Sequence, residues 1–67
     1  MGMEDYEVMY VKRIKSGLYP LFYRIKLKDK NNKIWTAYST HEKIFYEVGK
    51  VLNGLIKNGW FLRWDKN

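Results

Sequence analysis

The chain has 67 residues and a mass of 8.2 kDa, with 13 lysines and arginines against 7 acidic residues, a formal charge of +6 and an isoelectric point near 9.7. That length holds one domain, and 46% hydrophobic with 18% aromatic residues is a folding composition rather than a disordered one. Cysteine is absent, which excludes a disulfide-stapled scaffold and a thiolate zinc site, and no apolar run reaches the roughly 18 residues of a bilayer span.

Residues 6–15 are rich in β-branched and aromatic side chains and predict a first strand. Ser16-Gly17 is a turn signal. Residues 18–28 predict a second strand, with Leu21, Tyr23, Ile25 and Leu27 on one face and Phe22, Arg24, Lys26 and Lys28 on the other. Pro20 cannot donate to a ladder, so it belongs at that strand's start or on an edge. Asp29-Lys30-Asn31-Asn32-Lys33 reads as a polar hairpin turn, and residues 34–38 as a third strand.

Ser39-Thr40-His41-Glu42 matches a capping box. Ile44, Phe45, Val48, Val51, Leu52, Leu55 and Ile56 then follow at helical spacing. This predicts a helix running from Ser39 to a stop at Asn58-Gly59, with Gly59 in the left-handed position. Trp60–Trp64 reads either as a short fourth strand or as an extended tail, and Asp65-Lys66-Asn67 as a frayed end. The expected fold is α+β over a single domain, 1–67. A three-stranded antiparallel meander carries one amphipathic helix on one face, in the order β-β-β-α with or without a terminal strand.

Charge is distributed unevenly. Residues 1–7 sum to −3, residues 8–35 to +7 and residues 36–67 to +2. With Asn31-Asn32 at the tip of the hairpin, Lys28 is expected opposite Trp35 and Lys26 opposite Ala37. Arg13 and Lys15 join the same face if Val8, Tyr10 and Ile14 point inward. The expected open face therefore displays Arg13, Lys15, Phe22, Arg24, Lys26, Lys28 and Trp35, with Lys30 and Lys33 in the adjoining turn. A cationic surface carrying aromatics attracts phosphate backbones by counterion release, and a small sheet can enter a major groove. Stacking of bases on Trp35 or Phe22 is the single-strand variant of the same chemistry. A solvated face that blocks strand-edge aggregation is the plainer alternative.

The segment Tyr23-Arg24-Ile25-Lys26-Leu27-Lys28-Asp29, its polar turn, Ile34-Trp35-Thr36-Ala37-Tyr38-Ser39-Thr40, and then Glu42, Tyr46 and Val48 cover about half the chain. This stretch resembles the DNA-binding domains of the plant ethylene-response-factor type and the amino-terminal arm-binding domains of tyrosine integrases. The resemblance implies a three-stranded sheet backed by a helix and laid into the major groove, with Arg24, Lys26 and Trp35 touching DNA.

Chemistry beyond binding has little support. His41 is the only histidine, the carboxylates are scattered, and no glycine-rich phosphate loop is present. A non-enzyme without metal or cofactor is expected. The leading expectation is a cytoplasmic nucleic-acid-binding regulatory module, with double-stranded DNA favoured over RNA and no membrane partner. The alternative is a small phage- or virus-type protein that binds and modulates a host protein. Its candidate interface is the C-terminal aromatic segment, Trp60, Phe61, Arg63 and Trp64, since Trp and Arg are frequent interface anchors, or else the sheet face. Either a monomer or a homodimer fits these readings.

Overall fold

The computed structural model describes residues 3–15, 17 and 21–64. The expected turn at Ser16, the strand start at 18–20 with Pro20, and the frayed end at 65–67 lie outside the described residues. Five strands form: β1 (Glu4–Ile14), β2 (Phe22–Lys28), β3 (Ile34–Ser39), β4 (Val51–Lys57) and β5 (Trp60–Arg63), with a 3-10 helix at Glu42–Tyr46 between β3 and β4. They close into one barrel in the order β1-β2-β3-β5-β4. All pairings are antiparallel except β3 with β5, which run parallel and meet at Tyr38 and Trp60.

The α+β expectation of a helix packed on a meander is therefore incorrect. The stretch that spaces its apolar residues like a helix instead makes a 3-10 turn, a tight bend and a β-hairpin. Two local features defeat the long helix. Gly49 sits at φ 91°, and the bend it makes is tied to β1 by Gly49 N–H to the Val8 carbonyl at 2.8 Å and Val8 N–H to the Lys50 carbonyl at 2.9 Å. Asn58 and Gly59 both have positive φ, 53° and 83°. An Asn-Gly pair between apolar runs is the strongest short hairpin signal, because a two-residue turn of this hand follows the right-handed strand twist. Asn58-Gly59 thus joins two strands rather than ending a helix. Ser39 does not cap a helix either; its hydroxyl accepts the His41 backbone N–H at 3.0 Å, and Ser39 itself closes β3.

The interior is filled by side chains, as expected for a barrel this small. Tyr6 and Val8 of β1, Tyr23, Ile25 and Leu27 of β2, Ala37 of β3, Ile44 of the 3-10 helix and Phe61 of β5 make the core. Tyr6 meets Phe61 edge-to-face at 5.8 Å. Leu52 and Ile56 of β4 pack against this core, and Gly54 lies between them. At the end of β5, Arg63 forks onto Glu47, its Nη1 bonding Oε1 and its Nη2 reaching Oε2 at 3.2 Å. Both side chains are largely shielded from water, so the pair fastens the end of β5 to the bend after the 3-10 helix.

Substituting Gly59 with alanine tests the β4–β5 turn. A Cβ there meets nothing within 4 Å, so the whole cost is the left-handed backbone, about 1–2 kcal/mol. Thermal melting by circular dichroism should show the variant destabilised by that amount. An unchanged Tm would mean the turn has another geometry.

Candidate nucleic-acid interface

Strand alternation sorts the side chains of β2 cleanly. Tyr23, Ile25 and Leu27 are buried, and Phe22, Arg24, Lys26 and Lys28 point out of the barrel. Of the nine residues expected to form the nucleic-acid surface, these four share one face.

The register settles the rest. β1 carries an irregularity between Val8 and Tyr10, so Val8 faces Leu27 but Tyr10, rather than Met9, faces Lys26. A single extra residue reverses which side chains point outward beyond it. Tyr10, Lys12 and Ile14 therefore stand on the outer surface, pairing with Lys26, Arg24 and Phe22. Lys12 occupies the place expected for Arg13. Arg13 instead lays its guanidinium over the Phe45 ring at 4.3 Å, and Lys15 lies exposed past the end of β1.

In the β2–β3 hairpin, Leu27 pairs with Trp35, Lys26 with Thr36 and Lys28 with Ile34. The expected register is off by one residue, which turns Trp35 away from the basic face. Asp29 is the cause. Its Oδ1 accepts backbone N–H groups from Asn31 at 2.8 Å and Lys33 at 2.9 Å, and its Oδ2 accepts the Trp35 indole N–H at 2.9 Å. Asn32 at φ 64° completes the loop. Lys33 stacks over Trp35 with Nζ 4.2 Å from the ring centroid. Lys30 and Lys33 thus belong to the turn at one end of the barrel, and Trp35, near the start of β3, is held against that turn, apart from the basic outer face.

The Trp35 indole, followed by the Lys33 and Asn31 amides, holds the Asp29 carboxyl below its usual value of 3.8. A carboxylate whose pKa is lowered by folding stabilises the fold above its unfolded pKa, and that contribution disappears as pH falls through the lower folded value. The Asp29→Asn variant should be less stable than the parent at neutral pH, and the gap should close in strong acid. Urea midpoints measured across acid pH check this; a gap that persists below the carboxylate range contradicts it.

The outer face of β1, β2 and β3 gathers a cluster that the sequence disperses. Phe22, Tyr38 and Trp60 lie with ring centroids 5.9 Å apart for Phe22–Tyr38, 5.9 Å for Tyr38–Trp60 and 6.3 Å for Phe22–Trp60. Trp60 reaches this group because the Tyr38 N–H donates to the Gly59 carbonyl at 2.8 Å, clamping the β4–β5 turn against β3. Beside the rings, Lys12 and Arg24 stand directly opposite each other, and Lys26 leans over Tyr10 at 6.0 Å. Lys28 is partly neutralised by Glu7 at 3.6 Å. Among the described residues, no acid pairs with Lys12, Arg24 or Lys26. Like charges directly opposite across two strands cost stability, so this arrangement is one that an incoming anion relieves.

Comparison with known proteins returns no matching family model, no matching curated protein and no matching solved structure. The site is therefore read from its own chemistry.

Of the four residues expected at a protein interface, Trp60 belongs to the aromatic cluster, Phe61 is core and Arg63 is bonded to Glu47. Trp64 is exposed, its backbone N–H donating to the Asn53 carbonyl at 2.7 Å. Sequence reasoning did not place Tyr10, Lys12, Tyr38 and Trp60 on the basic face. For Trp60 and Tyr38 the signal was Asn58-Gly59 read as a hairpin, which returns Trp60 to the sheet. For Tyr10 and Lys12 the sequence carries no visible mark of the irregularity at Met9. His41 stands at the start of the 3-10 helix. Among the described residues, no group of three acidic or histidine side chains converges on a metal-sized site, and no helix is long and apolar enough to cross a membrane.

Proposed function

We propose that this protein binds nucleic acid on the outer face of β1, β2 and β3, and that it takes single strands in preference to duplex. The observation that carries this reading is the Phe22–Tyr38–Trp60 cluster beside Lys12, Arg24 and Lys26, three cations without acidic partners among the described residues. Aromatic rings stack on bases, and cations beside them neutralise the backbone between bases.

The strand preference follows from shape. Reading a major groove requires a sheet that lies into the groove as a ribbon. Here the three strands are part of a closed barrel, and three rings gather at one end of the face, where Phe22 opens β2 and Tyr38 lies near the end of β3, next to Lys12 and Arg24. Rings stack readily on the splayed bases of a single strand, whereas the base faces of a duplex are covered by their neighbours. A five-stranded barrel with this connectivity is the OB architecture, in which the face of strands 2 and 3 commonly takes oligonucleotides; that is an analogy of fold and supports the reading without carrying it.

The test is fluorescence anisotropy of labelled single-stranded DNA, single-stranded RNA and duplex DNA over a salt series. Single strands should bind more tightly than duplex. With three uncompensated cations, the slope of log K against log salt should be about −2 for single strands. Arg24→Ala should reduce its magnitude by about 0.7. Binding that ignores both salt and Arg24 rules the reading out.

A further inference from the structure

We infer that the protein associates with a second copy of itself through the outer face of β4 and β5, which lies across the barrel from β2 and borders the aromatic cluster at Trp60. The exposed side chains there are apolar to an unusual degree. Val51 is 64% exposed, Leu62 48% and Trp64 54%, and Leu55 pairs across the strands with Leu62. Large apolar side chains exposed together on one side of a small domain mark a contact site.

Charge identifies the occupant. The protein carries +6 overall, so two copies repel wherever their cations meet. Of the residues that point outward from β4 and β5, Lys57 alone is charged. On the neighbouring strand two acids border β4: Glu7 pairs with Val51 and forms an ion pair with Lys28, and Asp5 pairs with Asn53, its carboxylate accepting the Asn53 side-chain N–H at 3.0 Å. The face is thus an apolar patch around Leu55 and Leu62, with Lys57 two residues along β4 on one side and Asn53, flanked by Asp5, two residues back on the other.

That pattern complements itself under a two-fold rotation. With the axis through the Leu55–Leu62 pair, the outward residue two places along β4 in one copy meets the one two places back in the other. Lys57 then faces Asn53 and Asp5 of the partner subunit, twice by symmetry, while the leucines and Trp64 bury one another. An isologous contact demands this self-complementarity. It also leaves the outer face of β2, with Arg24 and Lys26, open on the far side of each copy. The inference does not depend on what that face binds.

Sedimentation equilibrium on nuclease-treated protein, free of absorbance from nucleic acid, provides the test. The expected result is a reversible rise from the 8.2 kDa chain mass to twice that value between micromolar and millimolar concentration. The association should persist at high salt, where electrostatic binding to nucleic acid is lost. Leu62→Glu should raise the dimer dissociation constant about 30-fold or more, as expected for a central contact residue, with an unchanged circular dichroism spectrum. Asp5→Lys and Lys57→Glu should each weaken the dimer, and the double variant should restore it to within a few-fold. The idea is overturned by a single-chain mass at every concentration, by a Leu62→Glu protein that dimerises normally, or by aggregates without a defined stoichiometry. Failure of the double reversal to restore association overturns the two-fold arrangement. Nucleic-acid binding that survives in a purely monomeric protein would remove this inference and leave the proposed function standing.

Discussion

Replacing Trp60 with alanine is expected to weaken binding to single-stranded nucleic acid by about 5- to 150-fold, the range of about 1–3 kcal/mol that one stacked base is worth on an aromatic side chain. Trp60 is the most exposed ring of its cluster at 41%, and it braces both Phe22 and Tyr38. Its removal therefore takes away one stacking platform and the support of two others. The barrel should survive, since the core is built from Phe61 and the residues inside it rather than from Trp60. Tyr46→Ala is the control. Tyr46 is 69% exposed on the 3-10 helix and belongs to a different aromatic group with Phe45, so its loss should leave the affinity unchanged. Anisotropy titrations at one fixed salt concentration compare the two. Equal affinities for the Trp60 and Tyr46 variants would show that exposed aromatic character in general, and not this cluster, accounts for any binding.

Gly54→Ala is expected to have the largest effect on stability. A Cβ at Gly54 would stand 2.5 Å from the Leu62 carbonyl oxygen, 2.8 Å from Phe61 Cε1 and 2.9 Å from Arg63 Cα. Two of those three atoms are backbone, so no rotamer change can clear them. β4 and β5 must separate, which disturbs the Phe61 contact with Tyr6 and the closure of the barrel. Overpacking of this kind costs about 1–3 kcal/mol and occasionally more. A domain of this length has only about 3–10 kcal/mol in total, so the Tm should fall by roughly 5–20 °C. Gly17→Ala supplies the contrast, since nothing lies within 4 Å of a Cβ there. Parent-like melting of the Gly54 variant would refute the close approach of β4 and β5.

These two positions show how unevenly the fold is written in the chain. The alternation of β2 was legible residue by residue, because period two is a property of the backbone and each apolar side chain in that strand has one face to occupy. The polar turn after Lys28 was legible for the same local reason. The β4–β5 hairpin was misread because Ile44 to Ile56 satisfies a helical spacing, and such a pattern records only which residues avoid water. Gly54 reads as a costly residue in a helix and as a required one in the barrel. Only the approach of β5 distinguishes the two.

The candidate site was half visible. Phe22, Arg24, Lys26 and Lys28 follow from one strand's alternation. Trp35 differs from its expected place by one step of register, and Lys12 stands where strict alternation predicts Arg13 because of one irregular residue on β1. In both cases the error is small along the chain and complete in space, since one residue exchanges the two sides of a strand.

By itself the amino-acid sequence determined the cationic character of its middle third, the positions of the first three strands and the outward set on β2. All of these depend on neighbours within a few residues. The tertiary structure alone decided that the second half is a hairpin closing a barrel, that Trp60 joins Phe22 and Tyr38, and that the cations of β1 and β2 stand side by side. Those outcomes depend on the parallel contact between β3 and β5 and on the register of β1. Pairing between residues far apart in the chain is set by the geometry of closure, and it leaves no period for a local reading to detect.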